Sequence, residues 1–279
     1  MLNQMTSFFI SAFNFPGLDW RLILVAIALS VVFGAIWLTP YWPPLKKPSL
    51  WIIAIISAFL TWTAIAFAQI PLQSWAGQAL IHIWNAQTLT KWILLAAIPQ
   101  VLLSGIVQEA AKLAPVYFFW WRSKKSFTPK FGLIAGAFSG AGFGIFEAFW
   151  AHSQIFASGW AWKSIGTYGF VAILGFWERF FSIAFHIAAS ALVGYGLAKH
   201  KGWLFYLIAA LLHGVMNYAI VLITTGRLTA VQEEIFYSAM LAVLVTGVVL
   251  WLRWHQPKEI PASSPSETVP PPIPVAPVS

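Results

Sequence analysis

Seven long runs of apolar residues, separated by short polar stretches, dominate the chain. The runs cover residues 22–38, 50–69, 92–121, 131–151, 168–198, 203–224 and 235–252. A helix needs about 20 apolar residues to cross the hydrocarbon of a bilayer. The runs are continuous and do not alternate with a period of two, which favours helices over the strands of a membrane barrel. The pattern therefore predicts an all-α, polytopic transmembrane helix bundle of about seven spans.

Four consecutive apolar runs, the third to the sixth, each carry a strongly polar and chemically capable residue. These residues are Glu109, Glu147, His186 and His213. The whole chain has only eight acidic residues and six histidines. Ionisable groups within spanning helices are costly and usually face the interior of a bundle, where they mark a functional site. Spans three to six are therefore predicted to form the active core.

The composition excludes several classes of function. The chain is 59% hydrophobic and 9% charged, as expected of a membrane protein. It has no cysteine, which excludes disulfides, thiolate metal sites, iron–sulfur clusters and cysteine nucleophiles. A net charge of +8 could indicate nucleic-acid binding, but the basic residues lie in short loops beside the apolar runs. We therefore predict a lipid bilayer, and no nucleic acid, as the surroundings of this chain.

The distribution of basic residues predicts an orientation. Ten lysines and arginines lie in the loops after spans one, three and five and in the C-terminal tail, whereas four lie on the opposite side. Because positive charge is retained on the cytoplasmic side, the C-terminus is predicted to be cytoplasmic and the N-terminus external. The expected location is a bacterial cytoplasmic membrane.

The four polar residues are predicted to lie at similar depths. Glu109, His186 and His213 are 12 or 13 residues from the nearest basic residue of the cytoplasmic loops, and Glu147 is 17 residues from it. At ~1.5 Å per helical residue, the first three lie roughly 18–20 Å from the cytoplasmic border and Glu147 about 25 Å from it. A cluster of two carboxylates and two imidazoles at one depth indicates a single site rather than scattered interhelical contacts.

Local spacings predict which side chains support this site. Lys112 is three residues after Glu109, and Asn217 is four residues after His213, so each pair shares a helix face. Lys112 can therefore offset the cost of an ionised Glu109. The adjacent residues Glu178 and Arg179 lie closer to the outer interface, where a structural or gating role is expected.

A stripe of glycines runs along the fourth span. It consists of Gly132, Gly136, Gly140 and Gly144. Small residues at this spacing let membrane helices pack backbone to backbone. Glu147 falls within the same stripe, so we expect it at a helix–helix interface and not towards lipid.

The motifs of spans three to six resemble those of the PrsW-type intramembrane proteases and their relatives in the CAAX-protease and bacteriocin-processing superfamily. The resemblance covers about residues 95–225, and spans five and six also resemble the YhfC family. The matching segments are Gln108-Glu109-Ala110-Ala111-Lys112, Phe143-Gly144-Ile145-Phe146-Glu147, His186, and His213 with Asn217. The family signature has two glutamates in the first segment, where this chain has Gln108-Glu109. The resemblance implies an α-helical membrane endopeptidase acting on a membrane-associated protein.

Two mechanisms of peptide hydrolysis are open at this stage. In the first, His186, His213 and one glutamate, taken as Glu147, hold Zn²⁺, and the other glutamate is the base. In the second, which needs no metal, Glu109 deprotonates a water held by His213 while Asn217 donates to the oxyanion. The candidate catalytic residues are Glu109, Glu147, His186, His213 and Asn217. The candidate supporting residues are Gln108, Lys112, Glu178 and Arg179.

Two other functions remain as alternatives. A proton-coupled transporter or channel would also use buried Glu and His, but it predicts inverted repeats, and the polar residues here concentrate in spans three to six. A catalytically inactive, protease-like membrane protein is the other, because Gln108 replaces a family carboxylate. The predicted parts of the chain are N-terminal spans and an outer-interface segment (1–91), catalytic core helices (92–225), a last span (226–256) and a proline-rich disordered tail (257–279).

Overall fold

The computed structural model is built from α-helices joined by short turns. It describes residues 1–255, apart from the side chain of Glu234, so the predicted tail at 257–279 lies outside the described residues. The helices are α1 (Leu2–Ile10), α2 (Trp20–Leu38), α3 (Pro48–Ala64), α4 (Ile70–Ile83), α5 (Ala86–Lys91), α6 (Ile93–Ala96), α7 (Ile98–Arg122), α8 (Pro129–Ala157), α9 (Lys163–Tyr168), α10 (Leu174–Ala198), α11 (Gly202–Thr224), α12 (Ala230–Gln232) and α13 (Ala239–Trp254).

Among the described residues, seven helical segments are long and apolar enough to cross a membrane, which confirms the predicted all-α polytopic bundle. They are Trp20–Tyr41, Pro48–Ile83, Ile93–Arg122, Pro129–Ala157, Lys163–Ala198, Gly202–Thr224 and Ala230–Trp254. The second segment is longer than the run that predicted it. A π-helical turn over Ile65–Gln69 joins α3 to α4 without a break, so the helix continues to Ile83.

The N-terminal helix α1 was not predicted from the sequence, because nine residues are too few to span a bilayer. Its aromatic side chains hold it against the bundle. The ring of Phe8 stacks on Trp62 with centroids 4.5 Å apart, and the Trp62 indole N–H donates to the Phe9 carbonyl at 3.1 Å. Helix α1 therefore covers the side of the bundle formed by α3 and α8.

The closest packing is between α8 and α10, which share the most extensive helix–helix interface of the described residues. The predicted glycine stripe of α8 forms this interface. A Cβ atom on Gly132, Gly136 or Gly140 would lie only 2.0–2.3 Å from a backbone carbonyl oxygen of α10. The two backbones therefore touch, which fixes α10 beside α8 through its whole length.

The other spans surround this central pair and complete the site region. Helices α2 and α3 pack on α8, α13 packs on α10, and α11 packs on both α10 and α7. Helices α7, α8, α10 and α11 therefore meet around one interior region. These are spans three to six, the four that carry the polar residues.

Candidate active site

Three of the four polar residues that the sequence predicts for the site come together in the interior of the bundle. Glu109 on α7, His186 on α10 and His213 on α11 each place one potential ligand atom so that the three atoms lie within 4.8 Å of one another. All three residues are buried, with at most 4% of their surface exposed. The similar depth inferred from the sequence thus corresponds to a real cluster.

Glu109 is the centre of this cluster. Its Oε1 atom lies 2.7 Å from His213 Nδ1 and accepts a hydrogen bond of 2.6 Å from Lys112 Nζ. The same ammonium lies 3.1 Å from His186 Nδ1, so it sits between two members of the group of three. The second carboxylate oxygen, Glu109 Oε2, is buried and has no hydrogen-bond partner among the described residues. A free acceptor of this kind is available to a cation.

Glu147 lies on the other edge of the His186 ring. Its Oε2 atom is 3.0 Å from His186 Nε2 and accepts a hydrogen bond of 3.2 Å from Arg179 Nη1. Arg179 also pairs with Glu178. The close group thus contains Glu109, whereas the predicted zinc ligands were Glu147, His186 and His213. The difference arises because Arg179 engages Glu147 beyond the Nε2 edge, while Lys112, which pairs with Glu109, contacts the Nδ1 edge.

Asn217 and Gln108 are hydrogen-bonded beside the cluster rather than inside it. Asn217 Nδ2 donates to Ser104 Oγ at 2.7 Å, and Gln108 Nε2 donates to Gln69 Oε1 at 3.0 Å. Sequence reasoning missed Ser104 and Gln69. Each is a polar residue within an apolar run, and this pattern does not indicate which residue will be its hydrogen-bond partner.

The cluster opens into a polar cavity of about 270 Å³. His186, His213, Glu147, Arg179 and Asn217 are among the residues that line it. Glu233 and Ser238, which hydrogen-bond to each other, line it as well. Neither residue was predicted from the sequence. Glu233 precedes the last apolar run, which begins at residue 235, and the π-helical turn over Glu233–Ser238 leaves no simple periodicity that would place Ser238.

The arrangement predicts a structural role for Arg179 that a stability measurement can test. In Arg179→Met, the carboxylates of Glu147 and Glu178 lose their shared cation. Breaking a buried ion pair costs about 3–5 kcal/mol, and we expect less here because these side chains are 18–20% exposed. The detergent-purified variant should melt at a lower temperature than the wild type. Arg227→Met, at an exposed arginine, is the control; equal melting of both variants would contradict the role.

The donor set fits a hydrolytic metal ion. Two imidazoles and one carboxylate are the protein ligands of several catalytic zinc sites, which keep the remaining position open. Glu109, His186 and His213 provide this set, and the unpartnered Glu109 Oε2 is free to bind. His186 also satisfies a second requirement, since a metal-binding imidazole usually hydrogen-bonds a carboxylate through its other nitrogen. Glu147 supplies that carboxylate.

Comparison with known proteins places the chain in a family. No curated protein and no solved structure matches it. The sequence profile described as PrsW family intramembrane metalloprotease matches residues 46–251, which is most of the chain. The resemblance to the YhfC family and the wider CAAX superfamily stays a prediction. The matched region includes the second to sixth segments and most of the seventh, and the chain therefore belongs to the PrsW family of intramembrane metalloproteases.

Proposed function

We propose that the protein is an endopeptidase that cleaves a membrane-associated protein substrate with the help of a zinc ion held by Glu109, His186 and His213. The observation that carries the proposal is the buried group of these three side chains, of which His186 and His213 line a polar cavity. Membership of an intramembrane metalloprotease family supports it. This ligand set replaces the one that includes Glu147.

When bound, zinc would lower the pKa of a coordinated water to about 7 and polarise the substrate carbonyl. The chain's own residues have separate tasks. Glu147 accepts the N–H of His186 Nε2, which leaves His186 Nδ1 unprotonated and 3.1 Å from the Lys112 ammonium that pairs with Glu109. The Glu147 carboxylate also lines the cavity, and its hydrogen bond fixes the orientation of the His186 ring there.

Arg179 and Asn217 complete the set of roles. Arg179 holds the Glu147 carboxylate in place through its hydrogen bond. Asn217 lines the same cavity and uses one N–H of its amide on Ser104. An amide nitrogen carries two N–H groups. The second N–H of Asn217 is therefore the donor for the oxyanion that forms on the substrate carbonyl.

Gln108 does not disable a site of this composition. In the structure its amide hydrogen-bonds Gln69 and lies outside the group of three. A carboxylate at position 108 is therefore unnecessary for a Glu-His-His ligand set, which supports an active enzyme over a catalytically inactive relative.

We further propose that the protein lies in a bacterial cytoplasmic membrane with its C-terminus in the cytoplasm. The ten-to-four distribution of basic residues between the two sides supports this orientation. The end of the bundle at which α7 begins would then face outward.

The test combines cleavage with metal analysis. Purified protein in proteoliposomes is supplied with zinc and a panel of single-span fluorescent reporter proteins, and bound zinc is counted by mass spectrometry. Glu109→Gln and His213→Ala should each lower cleavage by at least ~100-fold, because loss of a residue that only hydrogen-bonds a metal ligand already costs about 10–100-fold, and both variants should lose the zinc. His82→Ala, at an exposed histidine, is the control and should behave as wild type. Cleavage that survives both site substitutions would contradict the proposal, as would cleavage that persists in 1,10-phenanthroline.

A further inference from the structure

A second, larger cavity adjoins the candidate active site. It is a groove of about 620 Å³, and it shares Glu147, Glu178, Arg179 and Asn217 with the polar cavity. Side-chain amides line it from four helical segments. They belong to Gln69, Gln73, Gln100, Gln108, Gln154 and Asn217. Uncharged amides within membrane-spanning helices are costly unless each finds a partner, so their concentration in one groove calls for an explanation.

Four of these amides form a chain of hydrogen bonds that leads towards Glu109. Gln73 and Gln100 each donate to the other's backbone carbonyl, at 2.7 and 3.0 Å. Gln69 Nε2 donates to Gln73 Oε1 at 3.4 Å, and Gln108 Nε2 donates to Gln69 Oε1 at 3.0 Å. These bonds tie α7 to the helix of Gln69 and Gln73, which is a structural role.

One atom of the chain is not explained by that role. Gln108 Oε1 is buried and has no hydrogen-bond partner among the described residues, and Gln108 is 5% exposed. It stands directly before Glu109 in the sequence and lines the groove. A buried acceptor without a donor carries a desolvation cost that a ligand N–H would remove.

We propose that this groove binds the substrate as an extended, unwound segment, with the Gln108 carbonyl accepting a hydrogen bond from a substrate backbone N–H. The inference rests on the proposed peptidase function and names the conformation of its substrate. In a helix, each peptide group is bonded within the helix and shielded by side chains, so it cannot enter a narrow site. When the substrate segment unwinds at membrane depth, its peptide groups lose these hydrogen bonds and find no water to replace them. Amides offer both donors and acceptors, so a groove lined with them can replace bonds of both kinds.

The test is a double-substitution cycle between one amide of the groove and one N–H of the substrate. The probe is a synthetic 25-residue single-span peptide with a Gly-Pro pair at its centre and a fluorophore at one end. A series of analogues replaces one backbone N–H at a time by an ester oxygen. The protein variants are Gln108→Leu and, as a matched control on the exposed side of α4, Gln78→Leu.

We expect Gln108→Leu to lower kcat/KM for the parent peptide by ~10-fold, the usual effect of one lost hydrogen bond, and Gln78→Leu to leave it unchanged. For one ester analogue near the cleaved bond, kcat/KM with the wild type should be ~10-fold lower than for the parent peptide. With Gln108→Leu, the same analogue and the parent peptide should have equal kcat/KM, because the substitution and the ester remove the same hydrogen bond. Retained zinc shows that Gln108→Leu is folded. The inference would be overturned if the losses in kcat/KM from Gln108→Leu and from the ester multiplied at every ester position. It would also be overturned if Gln108→Leu and Gln78→Leu had the same kcat/KM for the parent peptide.

The same cycle separates the groove from the peptidase proposal. If the wild type neither binds zinc nor cleaves the peptide, the proposed function fails. The proposal that the groove binds an extended peptide is then tested by measuring peptide binding in micelles by fluorescence anisotropy. Weaker binding to Gln108→Leu than to Gln78→Leu, with the same non-additivity at one ester position, would support it, and equal binding would refute it.

Discussion

Replacing Gly140 by alanine is expected to push α8 and α10 apart, and this movement should disrupt the candidate active site. The added Cβ would lie 2.0 Å from the carbonyl oxygen of His186 and 2.7 Å from the Cα of Ile187. Both atoms belong to the backbone, so no side chain can rotate away and the helices must move apart. Overpacking typically costs about 1–3 kcal/mol, and the movement here carries His186 away from Glu109. The variant should therefore melt lower than wild type and bind zinc more weakly.

A matched control for this prediction is Gly247→Ala on α13. A Cβ on Gly247 would meet no atom within 4 Å, so the melting temperature and zinc affinity should stay at wild-type values. For a chain of this size, each kcal/mol shifts the melting temperature by about 2–4 °C, which thermal unfolding in detergent resolves. Equal melting and equal zinc binding of the two alanine variants would show that the glycine stripe does not position His186.

Lys112→Met is expected to have the second large effect, and the size of the stability loss should depend on zinc. The ammonium lies 2.6 Å from Glu109 Oε1 and 3.1 Å from His186 Nδ1, so it supplies positive charge between two proposed zinc ligands. Without zinc, its removal leaves Glu109 buried with too little compensating charge, at a cost of about 3–5 kcal/mol. Zinc would replace that charge. The variant should therefore melt well below wild type in chelator and gain more from added zinc.

Zinc affinity gives an independent reading of the same substitution. Because the ammonium and a metal ion would compete for Glu109 and His186, Lys112→Met should bind zinc more tightly than wild type in equilibrium dialysis. Lys130→Met, at an exposed lysine near the start of α8, is the control and should change neither quantity. A Lys112→Met protein that is unaffected by chelator, or that binds zinc more weakly, would contradict the proposed place of Lys112.

The sequence could predict the fold and the region of the site because both follow from hydrophobic length and from single polar residues within apolar runs. Counting residues from charged loops gives depth along the membrane normal, and depth brought Glu109, His186 and His213 together. It does not give the direction in which a side chain points. For that reason the partnership of Glu147 with Arg179, and the choice of Glu109 for the group of three, emerged only from the structure.

Other parts of the site depend on contacts between residues far apart in the chain. The amide pair Gln69–Gln108 joins residues 39 positions apart, and Asn217–Ser104 joins residues 113 positions apart. Neither pair has a local spacing that could indicate it. Helix α1 was missed for a related reason, because its stability comes from aromatic contacts with Trp62 and not from its own length.

The most direct test of the central claim is an anomalous X-ray difference map at the zinc edge from crystals of the zinc-loaded protein. We expect one zinc ion per chain, bound by Glu109, His186 and His213, with Glu147 on the far side of the His186 ring. Crystals of His213→Ala should lose the peak. A zinc ion bound instead by Glu147, Glu178 and Glu233 in the adjoining cavity, or a peak that persists in His213→Ala, would contradict this claim.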